Sequence, residues 1–145
     1  MISLLDWNTE CRENDCALHY RREALKFIRS GRNGTYRKIA NNTHVVLQKN
    51  GDISIQLHAT NIVTYTVDGD VVLDSGGWKT PTTKQRMTLF SPVSVYSNKG
   101  VWYCHDKNDR DEVIEFYNGI RFRYRYLRKN AKRIRALRRK RGIVR

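Results

Sequence analysis

The chain has 145 residues, and its 28 Lys and Arg against 14 Asp and Glu leave a formal net charge of +14. A hydrophobic content of 39% with 10% aromatics suits one packed domain and argues against global disorder. No run approaches the ~18 consecutive apolar residues of a membrane span, and Met1 to Trp7 lacks the basic leader of a secretory signal. Cys11, Cys16 and Cys104 are sparse and odd in number, so reduced thiols in a cytoplasm are expected rather than disulfides.

Residues 1–33 read as a helical extension. Asn14 or Asp15 can cap a helix in which Ala17, Tyr20, Ala24, Phe27 and Ile28 recur at helical spacing, with Leu18 and Leu25 widening the stripe. Arg21, Arg22, Lys26 and Arg29 lie toward its C-terminal end, where the helix dipole favours cations, and Gly31-Arg32-Asn33-Gly34 ends it.

Residues 34–126 read as an antiparallel β-rich core domain. Val45-Val46-Leu47, Ile53 to His58, Ile62 to Val67 and Val71-Val72-Leu73 form a meander of about four strands, joined by Asn50-Gly51 and Asp68-Gly69 hairpin turns. After Gly76-Gly77 a short helix is expected, with Thr80 or Thr82 as cap, Pro81 at an early position and Met87, Leu89 and Phe90 facing the sheet. Strands resume at Val93–Tyr96, Val101–Cys104 and Val113–Tyr117, with an acidic loop from Asp106 to Glu112 between the last two. In the final strand Ile120, Phe122, Tyr124 and Tyr126 share one face and Arg121, Arg123 and Arg125 the other.

Residues 127–145 change to a helical pattern, a thin stripe of Leu127, Ala131, Ile134 and Leu137 in a basic surround of Arg128, Lys129, Lys132, Arg133, Arg135, Arg138, Arg139, Lys140 and Arg141. From Gly119 onward there are 13 Lys and Arg and no Asp or Glu, so the preceding body is nearly neutral. The expected architecture is α+β: one compact antiparallel sheet with an inserted short helix, flanked by an N-terminal helix and a basic C-terminal helix.

Several blocks together carry a resemblance: Arg37-Lys38-Ile39-Ala40-Asn41-Asn42-Thr43, Leu57-His58-Ala59-Thr60-Asn61-Ile62-Val63, Gly69, Leu73 and Ser75-Gly76-Gly77-Trp78-Lys79-Thr80. They continue with Thr82-Thr83-Lys84-Gln85-Arg86, Gly100-Val101-Trp102-Tyr103 and Phe116-Tyr117-Asn118-Gly119-Ile120. From Tyr36 to Ile120 the chain resembles an uncharacterised family of small proteins found in tailed bacteriophages. The resemblance implies a phage or prophage origin and the cytoplasm of an infected bacterial host, and it puts no catalytic role on any residue.

The charge asymmetry points to a polyanion partner, RNA or DNA. Basic side chains on phosphate release counterions, and Tyr103, Tyr124 and Tyr126 can stack on unpaired bases. An acidic protein surface, a membrane surface or plain solvation are the other readings of the tail; its apolar stripe is too thin and lacks Trp or Phe for membrane binding. The Gly-Gly-Trp-Lys-Thr turn reads either as an anion cradle, with Lys79, Lys84 and Arg86 supplying charge and Thr82 and Thr83 hydroxyls, or as a structural turn with Trp78 in the core. His58, with His44 on a neighbouring predicted strand, is the weak candidate for a metal-independent nuclease. Cys11, Cys16 and His19, with Cys104 or His105, match no common zinc spacing. The expectation is a non-enzymatic nucleic-acid-binding accessory protein, with an inhibitor of a host defence or transcription machine as the alternative. No cofactor, metal, membrane or small-molecule substrate is expected. Deleting residues 127–145 is expected to abolish nucleic-acid binding in a gel-shift salt series; unchanged affinity would remove the tail as the anchor.

Overall fold

A computed structural model describes residues 16–124. The predicted caps Asn14 and Asp15, Cys11, Tyr126 and the basic segment 127–145, with its expected helix, lie outside the described residues. The rest is a mixed α+β fold of two helices and two antiparallel sheets.

Helix α1 (Cys16–Arg29) forms where the helical stripe predicts it, and Ala17, Tyr20, Ala24, Phe27 and Ile28 are all buried. The chain leaves it through a Gly31 N–H to Ile28 carbonyl bond of 3.0 Å. Arg37 then folds back over the helix end. Its guanidinium lies 4.1 Å from the Phe27 ring centroid and donates to the Phe27 carbonyl at 2.8 Å.

The larger sheet has six strands, side by side in chain order. Its members are β1 (Tyr36–Ala40), β2 (Thr43–Leu47), β3 (Ile53–Leu57), β4 (Thr60–Tyr65), β5 (Val71–Leu73) and β9 (Ile120–Phe122). The smaller sheet comprises β6 (Val93–Asn98), β7 (Val101–Asp106) and β8 (Ile114–Glu115), in that order. Two sheets therefore replace the single sheet expected. The strands after the inserted helix pair with one another, and the place beside β5 goes to β9, with Val71 opposite Phe122 and Leu73 opposite Ile120.

The meander also has one strand more than expected. β1 turns into β2 at Asn41-Asn42, where Asn42 takes φ 55°. Asn is one of the few residues other than Gly that enter this left-handed region readily. His58 does so too, at φ 55°, so it stands exposed in the β3–β4 turn rather than on a strand. Its backbone N–H donates to the Asn42 carbonyl at 2.8 Å, tying two neighbouring turns together.

Helix α2 (Pro81–Leu89) has Thr80 as its N-cap, whose Oγ1 accepts from the Thr83 N–H at 3.2 Å, and Pro81 in the first turn. Met87 and Phe90 are fully buried, whereas Leu89 is half-buried. On its other side Thr88 meets the outer edge of β6. Its hydroxyl accepts from the Val95 N–H at 3.0 Å and donates to the Val95 carbonyl at 3.2 Å.

One apolar core joins α1, both sheets and α2. Tyr65 crosses it from β4 and donates its hydroxyl to the Phe90 carbonyl at the end of α2. Burial, with a smaller effect from neighbouring Tyr20, pushes the Tyr65 phenol well above its ordinary pKa, so it remains a donor. Lys107, just past β7, donates to the Thr88 carbonyl at 2.6 Å and to the Tyr20 hydroxyl at 3.2 Å, linking both helices to the smaller sheet. Tyr65→Phe is expected to lower stability by about 1–2 kcal/mol in urea denaturation, with an unchanged far-UV spectrum.

Candidate nucleic-acid interface

The turn after β5 is held from below. Ser75 is fully buried, and the Asn118 Oδ1 accepts from both its backbone N–H at 3.0 Å and its hydroxyl at 2.8 Å. The next residue, Gly119, donates its N–H to the Leu73 carbonyl at 2.8 Å. The turn then closes on itself. Gly76 N–H donates to Asp74 Oδ1 at 2.7 Å, Gly77 N–H to Ser75 Oγ at 3.3 Å, and Trp78 N–H to the Ser75 carbonyl at 3.0 Å. Gly76 has φ 61°, and a Cβ there would lie 2.6 Å from the Thr60 Cγ2, so no other residue fits without displacement.

That geometry supports the structural reading of the turn, with a threonine capping the helix, and corrects the anion cradle and the place of Trp78. The glycine amides are engaged by Asp74 and Ser75, so they do not form an open anion cradle. Thr83 is buried with its hydroxyl 3.0 Å from that of Thr80, so it serves the cap rather than a ligand. Trp78 does not fill the core either: it is 69% exposed. The buried indole nearby is Trp102, 5% exposed, whose ring centroid lies 5.4 Å from that of Phe116.

Two predicted cations converge on Trp102. The Lys79 and Lys84 ammonium groups lie 5.8 and 5.6 Å from its ring centroid, and Lys84 also donates to Ser97 Oγ at 2.6 Å. Such contacts order a lysine without neutralising it. Lys84 borders an open groove of about 550 Å³ between α2 and β6. Arg86 is directed elsewhere, its Nε donating to Thr43 Oγ1 at 3.2 Å. Arg121 pairs with the buried Asp70 carboxylate at 2.9 Å across β5 and β9, so it braces the sheet. Arg123 is exposed; Arg125 and the other predicted basic residues, Arg128 to Arg141, lie outside the described residues.

Of the predicted stacking tyrosines, Tyr124 is buried with its ring stacked on Phe122 at 6.4 Å, and it lies past the end of β9, which stops at Phe122 rather than running on to Tyr126 as expected. Tyr103 is half-buried beside Tyr96, at 5.9 Å between ring centroids. The exposed tyrosines that sequence reasoning passed over are Tyr117, 58% exposed beside the Asn118 clasp, Tyr36, 45% exposed on β1, and Tyr96, 39% exposed on β6. Tyr96 alternates with buried Val95, a signal visible in the sequence.

His44 lies on β2 with its ring stacked on Tyr36 at 4.4 Å, and burial followed by the nearby Lys38 charge lowers its pKa. Cys104 is buried outside any disulfide, and among the described residues no three His, Cys, Asp or Glu side chains come together as a metal site requires. Asp106 opens the acidic loop but is itself buried, with Oδ1 accepting from the Asn108 N–H at 2.7 Å. Among the described residues, no helix is long and apolar enough to cross a membrane.

A family model, described as the Kyanoviridae Gp96 protein, matches residues 20–123. The chain belongs to this tailed-phage family. The Gp96 match starts inside α1 and runs past β9, so it takes in both sheets, the Ser75 turn and α2. The basic segment beyond residue 123 lies outside it. No curated protein and no solved structure matches the chain.

Asn118→Ala removes both bonds to Ser75. It is expected to lower stability by about 1–3 kcal/mol and to speed protease cleavage at Gly76-Gly77, read by denaturant midpoint and limited proteolysis. Unaltered cleavage would mean that the turn holds without the clasp.

Proposed function

We propose that this phage protein is a non-enzymatic nucleic-acid-binding accessory protein. The basic residues from Arg123 to Arg141 anchor it electrostatically to phosphate, and the turn bearing Trp78 and Lys79, with Lys84 beside it, is the contact made by the folded body. The observation that carries this reading is a tryptophan 69% exposed on a turn whose glycine amides are already engaged. The turn holds the backbone that carries this solvent-facing indole, and a base stacked on an aromatic contributes about 1–3 kcal/mol. The two ammonium groups near Trp102 supply positive charge for adjoining phosphates.

A second reading, an inhibitor that binds a host protein, is favoured by the row of Tyr96, Tyr103 and His105 on the outer face of the smaller sheet. Tyrosine is enriched where proteins meet. The nuclease alternative rests on His58 in its exposed turn, and no described geometry pairs it with a second group.

The test is the salt dependence of binding by nuclease-treated full-length protein. Changing Lys79 and Lys84 together to Gln is expected to weaken binding and to make the slope of log affinity against log salt shallower by about 1–2. An unchanged slope would remove the body from the interface. No binding of RNA or DNA at low salt would overturn the function and turn attention to the protein partner.

A further inference from the structure

The nucleic acid that fits this surface is one with unpaired bases. We propose that the groove between α2 and β6 takes a single strand of nucleic acid, one base stacking on Trp78, another on Tyr96, and the intervening backbone lying on Lys79 and Lys84. This rests on the nucleic-acid reading and deepens it.

Rings and cations are grouped on this surface. Tyr96 stands at the groove wall, 39% exposed and backed by Tyr103. Its neighbour Ser97 receives the Lys84 ammonium at 2.6 Å, which spans the groove from helix to strand. From Lys84 the path crosses the Trp102 ring to Lys79, and Lys79 adjoins Trp78. Two ammonium groups thus share one ring, with exposed Trp78 next to Lys79 in the chain and Tyr96 on the wall of the groove that Lys84 spans. That grouping suits a strand whose bases are splayed apart and whose phosphates run between them.

A duplex uses neither ring, because its bases are stacked on one another and present only their edges in the grooves. The groove also favours a polyanion. Lys84, Gln85, Thr88, Leu89, Tyr96 and Ser97 line it and include no carboxylate. The nearest acid in the Trp78 turn, Asp74, is occupied with the Gly76 N–H. Leu89 supplies an apolar wall against which a base or sugar can rest, and the exposed Gln85 amide offers both a donor and an acceptor to base edges. Stacking accepts any base, so the expected preference is for strandedness more than for sequence.

The experiment is fluorescence anisotropy with a labelled short single-stranded oligonucleotide and with the duplex of the same sequence. It uses the full chain, Trp78→Ala, Tyr96→Ala and the ring-preserving Trp78→Phe and Tyr96→Phe. All four changes fall on exposed side chains, and circular dichroism checks the fold. The single strand is expected to bind at least about tenfold more tightly than the duplex, each Ala change to weaken it about tenfold, and each Phe change to weaken it far less. Equal affinity for duplex and single strand, or Ala variants that bind as the parent does, would overturn the groove while leaving nucleic-acid binding intact. Failure to bind either at low salt would overturn the functional reading and this proposal together.

Discussion

The pairing of β9 with β5 is the constraint on which the rest depends. It brings a late segment of the chain back against the middle of the meander, so Ile120 and Phe122 complete the core beside Val71 and Leu73. The same return delivers Asn118 beneath Ser75 and Gly119 to the Leu73 carbonyl. Remove it and β5 becomes an edge, Asp70 loses Arg121, and the turn under Trp78 loses its support. Closing so long a loop has an entropic cost, offset here by apolar burial on one face of β9 and an ion pair on the other.

The cations of the body divide by what they do. Arg37, Arg86, Lys107 and Arg121 are committed to bonds that hold elements together: a helix end, a buried threonine, two helices, and a buried carboxylate. Lys79 and Lys84 are the ones collected on a single indole, and Lys79 follows the exposed Trp78 in the chain. A nearly neutral body therefore carries a local positive field where its aromatic surface is most open. Long-range charge can draw a polyanion in, but only such a local arrangement can fix how it lies.

What was legible in the sequence was local. The α1 stripe, the Asn-Gly and Asp-Gly hairpins, the Thr80-Pro81 cap and the alternation of Ile120, Phe122 and Tyr124 each depend on residues a few positions apart, and each appears in the fold. Division into two sheets was not legible, because strand patterns do not name their partners. The sequence does not mark β1, because its turn uses Asn42 in place of a glycine, and His58 continues the strand alternation in sequence although its backbone is left-handed. Trp78 misled for a related reason. Composition places tryptophan in cores, yet here the backbone turn decides, and Trp102 already occupies the interior.

The Thr88 hydroxyl, bonded to both the N–H and the carbonyl of Val95, has a consequence for how copies of this protein behave together. The outer side of β6 is the margin of a short, aromatic-rich sheet, and such margins recruit strands from neighbouring molecules into fibrous aggregates. A single side chain from an adjoining helix answers the backbone there as a strand would, and it cannot itself be extended. Crowded molecules then meet at this margin a strand whose backbone is already satisfied at Val95, which interrupts the row of groups that edge-to-edge stacking would use.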